Sequence, residues 1–282
     1  MKKNKLNSIL AAVCAASFVL FLVSFCSTSQ SKPKSVESAL LNPAYIEKVS
    51  AVLIQSPDEI ISIKQENSQW AAEKQGIYTY ADTNQIKSLL KNLTKIRKMY
   101  KISDKEQGKI ELSLTQDSAR IITVIDNRGI AVAKLYFGST SSLTSRINVR
   151  SEKGRNCYET EDDISPYLNT DLDFWTVPEI FFAIKEPSNL NMDSSSIKTL
   201  LALRHGKIMS SAVLPLNSVK IDSILLKGQY NSSQKIDIYE YSGQDLREYF
   251  YIQHIQDEFI NNNALYEISQ WTYERLKKLL QR

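Results

Sequence analysis

Asp82-Thr83-Asn84-Gln85-Ile86-Lys87-Ser88-Leu89-Leu90 returns later in the chain as Asp193-Ser194-Ser195-Ser196-Ile197-Lys198-Thr199-Leu200-Leu201. A second echo, at nearly the same separation, pairs Tyr158-Glu159 and Leu168 with Tyr266-Glu267 and Leu276. Two anchors in one order at nearly one spacing read as a structural unit used twice. Asp82 supplies a helix N-cap, and Gln85 three residues on completes a capping-box pattern. Behind it Ile86, Leu89, Leu90, Leu93 and Ile96 fall on one stripe of an amphipathic helix. Lys91, Lys95, Arg97 and Lys98 gather toward the end of the helix that favours cations. Asp193 opens the matching helix, which carries Ile197, Leu200 and Leu201.

Outward from these helices the pattern is of strands. Residues 52–54 and 60–63, with Trp70 on a third, predict short strands ahead of the first helix. After it, Ile110, Leu112 and Leu114 alternate with polar residues as in a half-buried strand. Residues 121–125 and 133–137 flank the turn Asp126-Asn127-Arg128-Gly129 as a hairpin. A further pair is expected at 147–149 and 156–160, and Ser165-Pro166 opens a short helix with proline in its first turn. The second half offers strands at 219–221, 235–241 and 249–255, with Ser242-Gly243-Gln244-Asp245 as a turn. Residues 265–268 then lead into a last helix whose Trp271, Leu276, Leu279 and Leu280 form an apolar face. The expected fold class is α+β: two tandem copies of an antiparallel-sheet unit with one main amphipathic helix each, after an N-terminal membrane anchor. The expected boundaries are 1–26 for the anchor or signal segment, 27–43 for a flexible tether, 44–175 for the first repeat and 176–282 for the second.

Composition narrows the function classes. The chain has 282 residues, 43% hydrophobic and 23% charged, as an ordinary globular protein does. Its formal charge of +4 resides in the first 38 residues, where Lys2, Lys3, Lys5, Lys32 and Lys34 face a single acid, Glu37. The remainder is neutral, which argues against a nucleic-acid partner. Residues 9–25 form an uncharged apolar run behind three lysines, about 26 Å long as a helix. The lysines stay cytoplasmic, so the body is delivered to the far side of the membrane. Cys26 closes the run and is followed by Ser27-Thr28-Ser29, which resembles a bacterial lipoprotein attachment site, although Phe25 stands where a small residue is usual. An uncleaved anchor, lipid attachment at Cys26 and plain cleavage all export the body.

A search for chemistry finds scaffold. The eight glycines include no phosphate-binding spacing, and there is no His-Glu-x-x-His or Gly-x-Ser-x-Gly motif. Of the two histidines, His205 is expected at a solvated helix end and His254 as a hydrogen-bonded histidine of a sheet. Cys157 has Leu265 as its counterpart in the second echo and reads as a buried apolar position. Glu159, Glu161, Asp162 and Asp163 would suit a hard cation, or would complement the start of the helix near Ser165. Tyr239, Tyr241, Tyr249 and Tyr251 on adjacent strands would form either a cross-strand ladder or a surface that grips a sugar or a partner strand. No catalytic, cofactor-binding or metal-ligating residue is assigned.

The apolar N-terminal segment, Ile60-Ile61-Ser62-Ile63 leading to Trp70, the Asp82-capped helix, Tyr136-Phe137-Gly138 and Cys157-Tyr158-Glu159 together resemble a bacterial envelope family, domain of unknown function 4340. The resemblance covers about residues 44–280. It departs from the family at Gln107-Gly108-Lys109-Ile110, where members commonly carry a glycine-leucine step. It implies an accessory protein of ABC-type export systems, including the auxiliary components of gliding motility, with no established catalytic residues. The expected function is therefore that of a membrane-anchored, extracytoplasmic, non-enzymatic scaffold without cofactors. Its expected partners are the membrane and ABC transporter subunits or other envelope proteins. The alternative is a small-ligand or sugar-binding protein that uses the cleft between repeats.

Overall fold

The structure, a computed structural model, describes residues 35–141, 144–190, 192–228, 232–243 and 247–280. Ten strands form one antiparallel sheet: β1 (Ser35–Ser38), β2 (Val49–Gln55), β3 (Ile60–Glu66), β4 (Gln69–Lys74), β5 (Ile77–Tyr80), β6 (Arg97–Ser103), β7 (Arg120–Asp126), β8 (Ala131–Ser141), β9 (Arg146–Ser151) and β10 (Cys157–Glu161). Their order is β1-β6-β10-β9-β8-β7-β2-β3-β4-β5. A second sheet takes β11 (Lys207–Ile208), β12 (Val219–Lys227), β13 (Ser233–Ser242), β14 (Glu248–Asp257) and β15 (Leu265–Ile268) in the order β11-β15-β14-β13-β12. The helices are α1 (Thr83–Thr94), α2 (Glu106–Glu111), α3 (Leu172–Trp175), α4 (Ser194–Leu201) and α5 (Gln270–Leu279), with 3-10 turns at Pro43–Lys48 and Ser165–Leu168.

This corrects the expected α+β class. The described chain is mostly β, with 43% strand and 21% helix, in sheets of ten and five strands. It is not a pair of sheet-plus-helix copies. The five strands after each Asp-capped helix do share an order, β6-β10-β9-β8-β7 in one sheet and β11-β15-β14-β13-β12 in the other. The first sheet adds β1 on one flank and β2 to β5 on the other, and the helices do not match. Ser165–Leu168 is a single 3-10 turn where the second half has the ten-residue α5. The eight-residue α4 buries only Leu200, whereas α1 buries Ile86, Leu89, Leu90 and Leu93. The sequence echoes record local cap and turn chemistry, which recurs whether or not the elements behind it are equal in length.

Several local expectations change for identifiable reasons. Asp82 caps α1 by accepting the Asn84 N–H at 2.8 Å, but its own N–H donates to the Trp175 carbonyl at 2.7 Å. The capping box through Gln85 is thus replaced by a tertiary bond. Ile96 lies beyond the end of α1 and is 70% exposed. Residues 106–111 form α2 rather than the start of a strand, with a Lys109–Glu106 ion pair at 2.7 Å one turn apart. Residues 35–38, expected within the tether, are the edge strand β1, paired with β6. The expected membrane segment, Cys26 and the rest of the expected tether to residue 34 lie outside the described residues, as do residues 244 and 245 of the expected 242–245 turn. Among the described residues no helix is long and apolar enough to cross a membrane.

The two sheets share one hydrophobic core. Val52, Ile54, Ile61 and Ile63 of the first sheet belong to the same buried cluster as Ile224, Ile236, Ile238 and Ile252 of the second. Trp175 is fully buried between them and donates its indole N–H to the Asn169 carbonyl at 2.7 Å. Beyond it the chain runs along both parts: Val177 N–H bonds Tyr80 O, and the Pro178 carbonyl accepts from His205 N–H, each at 3.0 Å. Burying large aliphatic side chains at about 25 cal/mol per Å² is the main stabilising contribution here.

Candidate functional site

The seam between the sheets holds the densest buried polar network described. β5, the last strand of the large sheet, presents Thr79 and Tyr80 to it. Tyr80 donates to Asp257 Oδ1 of β14 at 2.5 Å, and the Thr79 hydroxyl lies 2.7 Å from that of Tyr266 on β15. Asn263 clips the backbone of β5: its Oδ1 accepts the Tyr78 N–H at 2.7 Å, and its amide donates to Gly76 O at 2.9 Å. Asp257 also accepts from Gln234 Nε2 at 3.1 Å and from Phe259 N–H at 3.0 Å. Three donors on one carboxylate compensate for much of the cost of enclosing it.

Both histidines of the chain meet here, around Tyr266. The His205 ring centroid is 4.7 Å from that of Tyr266, and the His254 centroid is 5.5 Å away, edge-on. His254 sits inside the second sheet, with Nδ1 accepting from Gln234 Nε2 at 3.2 Å and 3.7 Å from Asp257 Oδ2. Burial lowers its pKa to about 4, against the opposing pull of Asp257. His205 donates Nε2–H to the Val177 carbonyl at 3.1 Å, and burial lowers its pKa as well. It is not the solvated helix-end residue expected from sequence, because residues 177–180 pack back over it. Burial pushes Tyr266 up to about 12 and raises Tyr80, the latter with help from Asp257. Near neutral pH the imidazoles and phenols are therefore all neutral. A general base needs a pKa near the working pH and reach to a substrate proton. This network joins the two sheets.

Open space adjoins the seam on the surface. A cleft of about 370 Å³ is lined by Glu59, Lys74, Asp171, Asp173 and Lys207 beside Ile77, Leu172 and Phe174. Glu59 pairs with Lys74 at 3.0 Å and accepts from Thr170 at 2.7 Å, and these bonds lower its pKa. A second hollow, of about 610 Å³, is bounded by Ile184, Lys185, Gly228, Glu258 and Phe259.

The remaining candidates are dispersed. Cys157 is fully buried in a small cluster with Leu114, Ala119, Ile121 and Tyr136, and burial pushes its thiol pKa up. The acidic group turns to separate partners: Asp163 to Arg97 at 2.5 Å and Lys95 at 3.0 Å, Glu159 to Arg146 at 3.2 Å, and Asp162 to the Ser165 N–H at 3.0 Å. Glu161 lies 4.0 Å from Lys95. Among the described residues no three His, Cys, Asp or Glu side chains converge as metal ligands. The tyrosines form cross-strand pairs, Tyr239 opposite Tyr251 and Tyr241 opposite Tyr249, with Tyr251 buried. The seam network escaped sequence reasoning because Tyr80 and Asp257 stand far apart in the chain, and no motif links them.

No family model, curated protein or solved structure shows significant similarity to this chain.

Proposed function

We propose that this protein is a non-enzymatic accessory protein of the bacterial cell envelope. In this reading its N-terminal segment tethers it to the membrane with the body outside the cytosol, where it serves as a platform for subunits of an ABC-type transport system. One observation carries the platform reading. Ahead of and at the start of the edge strand β12, Val213, Leu216 and Val219 are 77%, 85% and 63% exposed. Apolar side chains grouped at a sheet edge are costly to leave in water and suit a protein partner. Asn189 and Ser188 already clip the far end of β12 through Leu225 O and Lys227. The enclosed, neutral histidines support a non-catalytic role, and the shared core supports a body that presents its surfaces rigidly. The test is site-specific crosslinking from position 216 in cells. Capture of a transporter permease subunit, lost when Val213 and Val219 are both changed to Asp, is the expected result; recovery of the protein alone overturns the reading.

A second reading, small-ligand or sugar binding, is favoured by the 370 Å³ cleft at the seam, whose lining combines charged groups with Phe174 and Ile77. A ligand bound there raises the melting temperature by mass action. A broad thermal-shift screen without a hit counts against it.

A further inference from the structure

Outside the seam and the β12 edge, one surface combines an open groove, an exposed aromatic ring and a surplus of one charge. Two adjoining hollows, of about 470 and 620 Å³, lie along α4 and α5 and share Trp271 and Arg275 in their walls. Trp271 is 61% exposed, whereas Trp175 is fully buried. The Arg275 guanidinium lies 4.9 Å from the centre of the Trp271 ring and braces it. Lys198, Arg204, Arg275 and Lys278 line the hollows against a single acid, Glu274. Arg204 pairs with Glu179 at 3.0 Å, but Lys198, Arg275 and Lys278 form no ion pair among the described residues. On a body whose net charge outside the leader is zero, such a cluster marks a local preference for anions.

The form of the groove selects among anionic partners. Its walls are α4, α5 and residues 202–204; the helices satisfy their main-chain groups internally and at the Asp193 and Ser269 caps, and Arg204 is already bridged to Glu179, so an extended peptide finds no open strand edge to extend. Between the cations the lining is Ser195, Ser196, Thr199 and Ala202, with Leu203, itself buried, and Leu279 as the larger aliphatic side chains, which falls short of the continuous apolar trough an amphipathic helix needs. What remains is a flat aromatic ring beside guanidinium and ammonium groups. That set suits a ligand with a ring to stack and a carboxylate or phosphate to pair. We propose that the groove between α4 and α5 binds an acidic saccharide, with a sugar ring on Trp271 and its anionic group held by Arg275 and Lys198.

The test is calorimetric titration of the full chain with trigalacturonate, using maltotriose, oligoglutamate and phosphatidylglycerol vesicles for comparison. Trigalacturonate is expected to bind saturably and more weakly as salt is raised. Arg275→Ala is expected to weaken binding by about tenfold or more. Trp271→Ala should abolish it and Trp271→Phe retain most of it. Because Trp271 is exposed while Thr272 and Leu276 carry the packing of α5, these variants keep the fold. Lys198→Glu provides an independent reversal on the other helix. Equal binding of maltotriose, binding of oligoglutamate or vesicles alone, no binding, or binding unchanged in Trp271→Ala and Lys198→Glu would each overturn the proposal.

Discussion

Tyr80 of the large sheet and Asp257 of the small one share a hydrogen bond of 2.5 Å across the seam, with the Asp257 side chain 2% exposed. The bond ties the last strand of one sheet to the end of a central strand of the other. Its environment makes the seam sensitive to single-atom changes, because a buried carboxylate that loses a donor has no water to replace it.

Tyr80→Phe removes the hydroxyl and keeps the ring against Phe182, 5.6 Å away between centroids. Asp257 is left with Gln234 and Phe259 as donors. The expected loss is about 1–3 kcal/mol, read as a lower urea midpoint at pH 7. An unchanged midpoint would mean that the bond does not hold the sheets together.

Stability should also fall on mild acidification. His254 has a pKa of about 4 in the fold against an ordinary 6.5, so the unfolded chain takes up its proton first. The contribution is fully present above about pH 6.5 and is lost as pH drops toward 4; the lowered pKa of His205 acts in the same direction. Paired carboxylates such as Asp126 and Asp237, whose pKa values are lowered, lose their contribution at lower pH still, as it falls through and below the ordinary carboxylate value. Denaturant unfolding at pH 7 and 5 should show the decline. Replacing His254 with Gln should flatten it, and a slope unaltered by that change would place its origin elsewhere.

Arg97 is buried, with its side chain 2% exposed, and holds Asp163 at 2.5 Å together with the Asn92 carbonyl and side chain. Arg97→Met should cost about 3 kcal/mol, since Asp163 is left without its enclosed partner. Asp163→Asn, which keeps an acceptor, should cost less. The order of the two melting temperatures checks this.

Gly138 lies in the bulge where the β8–β9 register shifts between Phe137 and Thr140. A Cβ there would stand 1.9 Å from the Leu112 carbonyl oxygen, a backbone atom that cannot swing away. Gly138→Ala is expected to destabilise by about 2 kcal/mol or more. Gly129→Ala, where φ is +77° but space is open, should cost less, because only backbone conformation is at stake. Equal losses would deny the close approach at Gly138.

Sequence reasoning succeeded where a signal was short-range. The strands around 52–54, 60–63, 121–125 and 133–137 form within β2, β3, β7 and β8, because alternation on a half-buried sheet needs only neighbours to be visible. Asp82 and Asp193 both cap helices through the side-chain bonds their residue type allows. The same locality misled elsewhere. Ile110, Leu112 and Leu114 alternate like a strand, yet α2 and a residue with positive φ, Ser113, deliver Leu114 to a core. Trp271 has the spacing of a core residue on α5 but faces solvent, since the sheet beneath accepts Thr272 and Leu276.

Residue order by itself determined the antiparallel strands, the capped helices, the neutral remainder behind a basic N-terminal stretch and the lack of recognisable catalytic motifs. Only the tertiary structure decided that the sheets have ten and five strands, that both histidines meet Tyr266 within a seam, and that Tyr80 reaches Asp257. Caps, turns and alternation arise between residues a few positions apart. Sheet size and seam chemistry depend on which distant strands come to share an edge, and that is settled by the joint burial of side chains from the whole chain.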